Sequence, residues 1–155
     1  MLALALLLTY PVYALGPIPN GTYAGRWECK PAKGDAFDYA VTASFGDDSL
    51  DFEGKPGRNA AGGFGYLHSI RTFRLDPQGA LELSSRTTNE PPIPLGKGSG
   101  FWTSRGLSYR EVVMSTPGDE TYLSVDGDIL LFSSIDTKPE GLGRVLCQGR
   151  LRRSS

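Results

Sequence analysis

Residues 22–30 read TYAGRWECK and residues 142–152 read LGRVLCQGRLR. In the first stretch Tyr23, Gly25, Trp27 and Cys29 share one face of an extended chain, and Thr22, Arg26, Glu28 and Lys30 share the other. That period of two is the signature of a half-buried strand. In the second, Gly143, Val145, Cys147, Gly149 and Leu151 share a face. Each stretch carries one of the chain's 2 cysteines, and each cysteine lies on the inward face. If Cys29 and Cys147 pair, the first and last strands of the domain lie side by side. An antiparallel meander brings its two ends together only when it closes, so the disulfide and a closed barrel support each other.

Between these stretches, 20 glycines and 11 prolines punctuate short runs of alternating hydrophobicity. Further strands are expected at Phe37–Phe45, Leu50–Glu53, Tyr66–Leu75, Ala80–Arg86, Phe101–Thr103, Leu107–Ser115, Glu120–Val125 and Asp128–Asp136. Asp76-Pro77-Gln78-Gly79 has the residue preferences of a type I turn. Asp126-Gly127 between alternating runs is a hairpin signal. Thr116-Pro117-Gly118-Asp119 reads as another turn. Residues 54–65 and 87–98 read as loops, the second holding Pro91-Pro92-Ile93-Pro94. The expected fold is all-β: an antiparallel up-and-down meander closed into a barrel of about 8–10 strands.

The leader MLALALLLTYPVYA, residues 1–14, carries no charged side chain, and its Leu/Ala run followed by Val12-Tyr13-Ala14 suits a secretory signal cleaved after Ala14. Residues 15–155 then form a single domain, and the protein is expected to be secreted or periplasmic, the compartments in which a disulfide persists. The apolar run is too short for a transmembrane segment, which takes ~20 residues. With 16 Lys+Arg against 17 Asp+Glu there is no basic surplus for nucleic acid. Asn20-Gly21-Thr22 is a glycosylation sequon.

Chemistry-bearing motifs are scarce. His68 is the one histidine, too few for a histidine metal site. No nucleophile elbow of the Gly-x-Ser-x-Gly type occurs. Asp47, Asp48, Asp51 and Glu53 read as turn and outward-face residues, and Gly96–Gly100 lacks the spacing of a phosphate loop. The expectation is a protein that is not an enzyme and uses no cofactor and no metal. The residues that stand out are charges on otherwise apolar faces. Arg71 shares a face with Leu67, Phe73 and Leu75; Glu111 shares one with Leu107, Tyr109 and Val113. A buried charge is costly unless paired, so Arg71 and Glu111 pair inside the barrel, or Arg71 holds a ligand carboxylate, or both sit at a rim in water.

Gly25-Arg26-Trp27 on the first strand resembles the Gly-x-Trp signature of lipocalins and the wider calycin group. That resemblance implies a barrel whose Trp27 closes one end, with Arg150 or Arg152 of the last strand packed on it. It implies a small-ligand carrier or, in the bacterial metalloprotease-inhibitor branch, a protein binder with an inserting N-terminal arm, here Leu15–Asn20. The favoured partner is a small apolar or amphipathic ligand, lined by Trp27, Phe45, Phe52, Tyr109 and Phe132, with Arg71 and Glu111 as polar groups. The alternative is a protein partner met by the N-terminal arm or by residues 87–98.

Overall fold

The computed structural model describes residues 17–60, 66–113, 116–136 and 143–154. The expected leader, residues 1–14, lies outside the described residues. The chain forms ten strands: β1 (Gly21–Pro31), β2 (Phe37–Phe45), β3 (Ser49–Pro56), β4 (Leu67–Leu75), β5 (Ala80–Arg86), β6 (Pro94–Thr103), β7 (Gly106–Val113), β8 (Thr116–Asp126), β9 (Ile129–Asp136) and β10 (Val145–Arg153). Every strand pairs antiparallel with the next, and β1 pairs with β10, so the sheet is a closed barrel without a free edge. The all-β up-and-down reading holds.

The closing seam is continuous from Tyr23↔Arg153 to Pro31↔Val145. Cys29 and Cys147 are direct register partners within it and form a disulfide, their Cα atoms 4.0 Å apart. Alternation then fixes the faces. Tyr23, Trp27 and Cys29 point inward on β1; Tyr39, Val41, Ala43 and Phe45 do so on β2; Leu130, Phe132 and Ser134 on β9.

Several boundaries differ from those the sequence suggests. The glycine-rich run Gly96–Gly100 lies within β6. Gly96, Gly98 and Gly100 face the interior, and a Cβ on Gly100 would sit 1.9 Å from the Ser108 carbonyl oxygen on β7. The glycines therefore serve a close strand approach. The β8–β9 hairpin turns one residue later than expected, since Asp126 pairs with Ile129 and Gly127 adopts φ 59°, a conformation easy for glycine. Residues 116–119 belong to β8 instead of a turn. Asp76 does organise its turn: its Oδ1 accepts from the amides of Gln78 (2.9 Å) and Ala80 (2.8 Å), and its carbonyl accepts from Gly79 N–H.

The two ends of the barrel are unlike. The end where β1 begins is shut by short turns and packed with Tyr23, Leu50, Leu81, Leu123, Leu130 and Leu151, all essentially inaccessible. Residues 17–19 run beside the β6–β7 and β8–β9 turns and place a fully buried Ile18 in the core. Tyr23 Oη donates to the Pro19 carbonyl at 3.3 Å, and Arg153 Nη2 donates to the Asn20 carbonyl. This part of the expected N-terminal arm thus belongs to the barrel and does not project from it. The opposite end, bearing the disulfide, has the longer connections. Asp38, buried on the outer face of β2, anchors one of them. It accepts from Arg58 N–H (3.0 Å) and Arg58 Nε (3.1 Å), and Arg26 Nη1 lies 3.5 Å away. Burial opposes the charge of Asp38, but the Arg58 bonds and the two guanidinium charges prevail and hold its carboxyl below the usual range.

The disulfide closes a loop of 118 residues, a constraint worth about 4–5 kcal/mol against the unfolded chain in the loop-entropy treatment. Intact mass after alkylation without reductant is expected to show no label. Reduction is expected to lower the melting temperature by about 10 °C; an unchanged melting temperature would show that the strand seam alone fixes closure.

Candidate functional site

A cavity of about 200 Å³ opens at the disulfide end. One wall is apolar: Trp27 and Cys29 from β1, Phe37 and Tyr39 from β2, Phe52 from β3, Leu67 from β4, Val145 and Cys147 from β10. The other is polar: Ser69 and Arg71 from β4, Asp119 from β8, Ser134 and Asp136 from β9. The cavity reaches down to Trp27 and Phe52, members of a three-ring cluster with Phe132. Trp27 meets Phe132 edge-on at 5.2 Å and Phe52 at 5.4 Å, while Phe52 and Phe132 stack at 5.4 Å. Such offset and edge contacts are the favoured aromatic geometries. Room for the indole comes from Gly149, its register partner on β10, where a Cβ would lie 3.1 Å from Trp27 Cδ1 and 2.6 Å from the Arg26 carbonyl oxygen.

Arg71 and Glu111 meet inside the barrel. Arg71 Nε donates to Glu111 Oε2 at 3.0 Å, and Arg71 Nη1 donates to Ser69 Oγ at 2.9 Å. Ser85 Oγ donates to the second oxygen, Glu111 Oε1. Glu111 is 2% exposed. β4 and β7 are not neighbours; β5 and β6 stand between them. The pair can bridge that gap because the inward residues there are small: Ser85 on β5, Gly96 and Gly98 on β6. Burial works against the charge of Arg71, but Tyr109 and Glu111 beside it outweigh this and hold its proton more firmly than usual.

A pair of carboxyls lies at the rim. The β7–β8 register slips between Arg110 and Val112, so that Glu111 faces the irregular stretch of β8 around Gly118 and Asp119. Such irregularities often accompany functional sites. Asp119 hydrogen-bonds to Asp136 on β9, and its pKa is pushed up to about 7. Burial is the main cause; the charge of Asp136 and the bond to it add to the rise, Arg71 opposes it and Glu111 reinforces it. Burial likewise pushes the Tyr39 phenol up to about 12. Trp27 Nε1–H is buried with no partner among the described residues.

The sequence-derived candidates distribute as follows. Trp27, Phe52 and Arg71 line the cavity. Glu111 lies behind it as the partner of Arg71. Tyr109 packs edge-on against Phe73 at 5.6 Å and Phe45 against Tyr23 at 5.7 Å, neither touching the cavity. Phe132 supports it through the ring cluster. Arg150 and Arg152 are exposed on the outer face of β10, so the arginine-on-tryptophan contact implied by the lipocalin resemblance does not form; Trp27 packs on Phe52 and Phe132 instead. His68 sits on the outer face, its Nε2 3.0 Å from Asp51 Oδ1 and its Nδ1 3.2 Å from Thr88 Oγ1. Sequence reasoning missed Asp119 and Asp136. The available signal was alternation: Asp119 continues the inward series of Thr121 and Leu123, and Asp136 that of Phe132 and Ser134.

No family model matches the chain, and no curated protein does. Among solved structures, the chain is similar to the S-type phycobiliprotein lyase CPES from Guillardia theta, with a TM-score of 0.46 and 10% identity over 88% of each chain.

Two stability measurements probe this constellation. Removing one partner of a buried ion pair strands the other, at a cost of about 3–5 kcal/mol, whereas replacing both by apolar groups is much milder. Urea denaturation is therefore expected to rank Arg71→Met and Glu111→Leu singly as far more destabilising than the double variant. For Asp119 the sign runs the other way with pH. Its folded pKa of about 7 lies above the ordinary 3.8 of an aspartate, so the folded state holds the extra proton and stability falls as pH rises from about 4 to 7. Asp119→Asn is expected to abolish that fall and to be more stable than the parent at pH 8 by ~2 kcal/mol, each tenfold change in proton affinity being worth ~1.4 kcal/mol and the site's partial exposure reducing the sum. The two proteins should converge near pH 4.

Proposed function

We propose that this protein is an exported β-barrel that binds a small amphipathic molecule in the cavity at its disulfide end, acting by binding and not by catalysis. The observation that carries the reading is the cavity's two-sided lining: aromatic rings on one wall, hydrogen-bonding side chains on the other. Ligand sites have this make-up, an apolar enclosure with a few polar groups that orient the occupant.

Its size limits the occupant. About 200 Å³ falls below the ≈ 300–1,000 Å³ of sites for drug-sized molecules, yet a cavity of about 150 Å³ accommodates benzene. A single ring with a short polar arm is the appropriate scale. The protein-binding alternative draws less support, since residues 17–19 pack against the barrel and Ile18 is buried. The proline-containing connection is also tied back on itself: Thr87 N–H donates to the Ile93 carbonyl, and Ile93 N–H donates to Thr87 Oγ1. Export rests on the apolar leader together with the disulfide. A protein recovered from the exporting cell is expected to begin at Leu15.

Native mass spectrometry of the oxidised protein is expected to show a retained small molecule, or uptake of one from a panel of single-ring compounds. Leu67→Trp, which fills the cavity, should abolish uptake while leaving the far-ultraviolet spectrum unchanged. A clean apo mass against the whole panel would sink the carrier reading.

A further inference from the structure

A surface outside the cavity carries a charge pattern that the small-ligand reading does not use. A groove of about 620 Å³ lies near the disulfide end, lined from β5, the β5–β6 connection (residues 87–93), β6 and β7. Its apolar part is Pro92 from the connection, Pro94 and Leu95 from β6 and Val112 from β7. Its charged part is Arg86 from β5 and Lys97 from β6, and no carboxylate lines it. Lys97 pairs in register with Ser84, two residues before Arg86. The two cations are therefore diagonal neighbours, a spacing that long side chains span.

The protein answers neither cation. Among the described residues, Arg86 and Lys97 form no ion pair and no side-chain hydrogen bond, whereas nearby outward charges are matched, Arg74 by Glu82 and Arg110 by Glu120. Glu90, the one acid of the connection, pairs with neither. The apolar part is also left wet: Val112 is 45% exposed, and Ile93, between Pro92 and Pro94, is 54% exposed. Register irregularities border the groove, at Ser85/Arg86 and between Arg110 and Val112. Such features re-aim side chains beside functional sites. The connection is already held in place. Thr87 and Ile93 bond each other twice, and Thr88 Oγ1 meets His68 Nδ1 on β4 at 3.2 Å. An occupant therefore has little ordering to do on arrival.

We propose that this groove docks an extended segment of a protein partner in which a carboxylate side chain stands next to an apolar one. The carboxylate lies between Arg86 and Lys97, and the apolar side chain rests on Pro92, Leu95 and Val112. The lining charge is wholly positive, so the complementary group is an anion. The groove is open on its outer side, whereas a small molecule is retained by near-complete enclosure. Anionic lipid is recognised by clusters of ~4–8 basic side chains, and here there are only Arg86 and Lys97. The contact is made through side chains, since the closed barrel offers no free edge to an added strand. The groove shares no lining residue with the cavity, so this inference stands apart from the small-ligand reading.

The test is selection from a random heptapeptide phage library on the full oxidised protein, followed by fluorescence anisotropy with the selected peptides. The selected sequences are expected to place Asp or Glu beside Leu, Ile, Val or Phe. Changing that acid to its amide, or making Arg86→Gln or Lys97→Gln, should weaken binding severalfold, the scale of exposed ion pairs. The double variant should lose at least tenfold. Val112→Asp, which puts a competing carboxylate in the groove, should do the same. All three side chains are exposed, and unchanged melting temperatures verify that the variants fold. A library that yields no binder, selected peptides without an acid, or equal binding to the double variant would overturn the inference. Hexanoate binding as tightly as the peptides would overturn it in favour of a small carboxylate. Co-sedimentation with phosphatidylserine vesicles that the double variant loses would overturn it in favour of a membrane surface. Retention of a small molecule in native mass spectrometry, which tests the cavity, should be the same in every variant.

Discussion

Closure of β1 onto β10 is the constraint on which the rest of the molecule depends. A ten-strand meander has two edges, and each unpaired edge exposes a row of donors and acceptors. Here the edges satisfy one another from Tyr23↔Arg153 to Pro31↔Val145. The Cys29–Cys147 bridge fixes this pairing near one end, and the contacts of residues 17–20 with Tyr23 and Arg153 fix it at the other. Once the register is set, the period of two decides the inward side chains, apart from the slips at Ser85/Arg86 and between Arg110 and Val112, because a one-residue slip would turn a strand over. The position of Trp27 opposite Gly149, and hence the floor of the cavity, is a consequence of that register.

The closed barrel divides its labour along its axis. The end containing Ile18, Leu50, Leu123 and Leu151 is dry and filled, and burial of that kind supplies the dominant folding force. The disulfide end carries features that a purely structural core would lack: three carboxyls, one guanidinium, three inward serines and a buried indole N–H without a partner among the described residues. Groups of this sort weaken folding unless satisfied. Their concentration at the end with long connections, away from the packed end, is the pattern expected where stability is traded for a binding surface.

The fold was legible in the sequence because alternation and turn chemistry agree over most of the chain. Tyr23, Trp27 and Cys29, and then Phe37 to Phe45, announce their faces without help from tertiary context. β6 was obscure for a physical reason. Gly96, Gly98 and Gly100 have no side chains to show a period, and their purpose, close approach to the β7 backbone, exists only once β7 is in place. The site was half legible. Arg71 and Glu111 stood out as charges on apolar faces, and they do meet. Asp119 did not, because Pro117-Gly118-Asp119 has the composition of a turn, and only the pairing of Pro117 with Val112 shows that the strand begins earlier.

Glu111 and Asp119 show how placement decides what a carboxyl can do. Both lie near Arg71, and both face the same β7–β8 irregularity. Glu111 receives Arg71 Nε at one oxygen and Ser85 Oγ at the other, so its charge is fully answered by the protein and it acts as a fixed part of the scaffold. Asp119 has another acid as its neighbour. Burial and Asp136 together raise its proton affinity, and Arg71 offsets this only in part. The glycines of β6 make the difference possible: lacking side chains beside Glu111, they let Arg71 reach across to bond it, while Asp119 feels Arg71 only as a lesser, opposing charge.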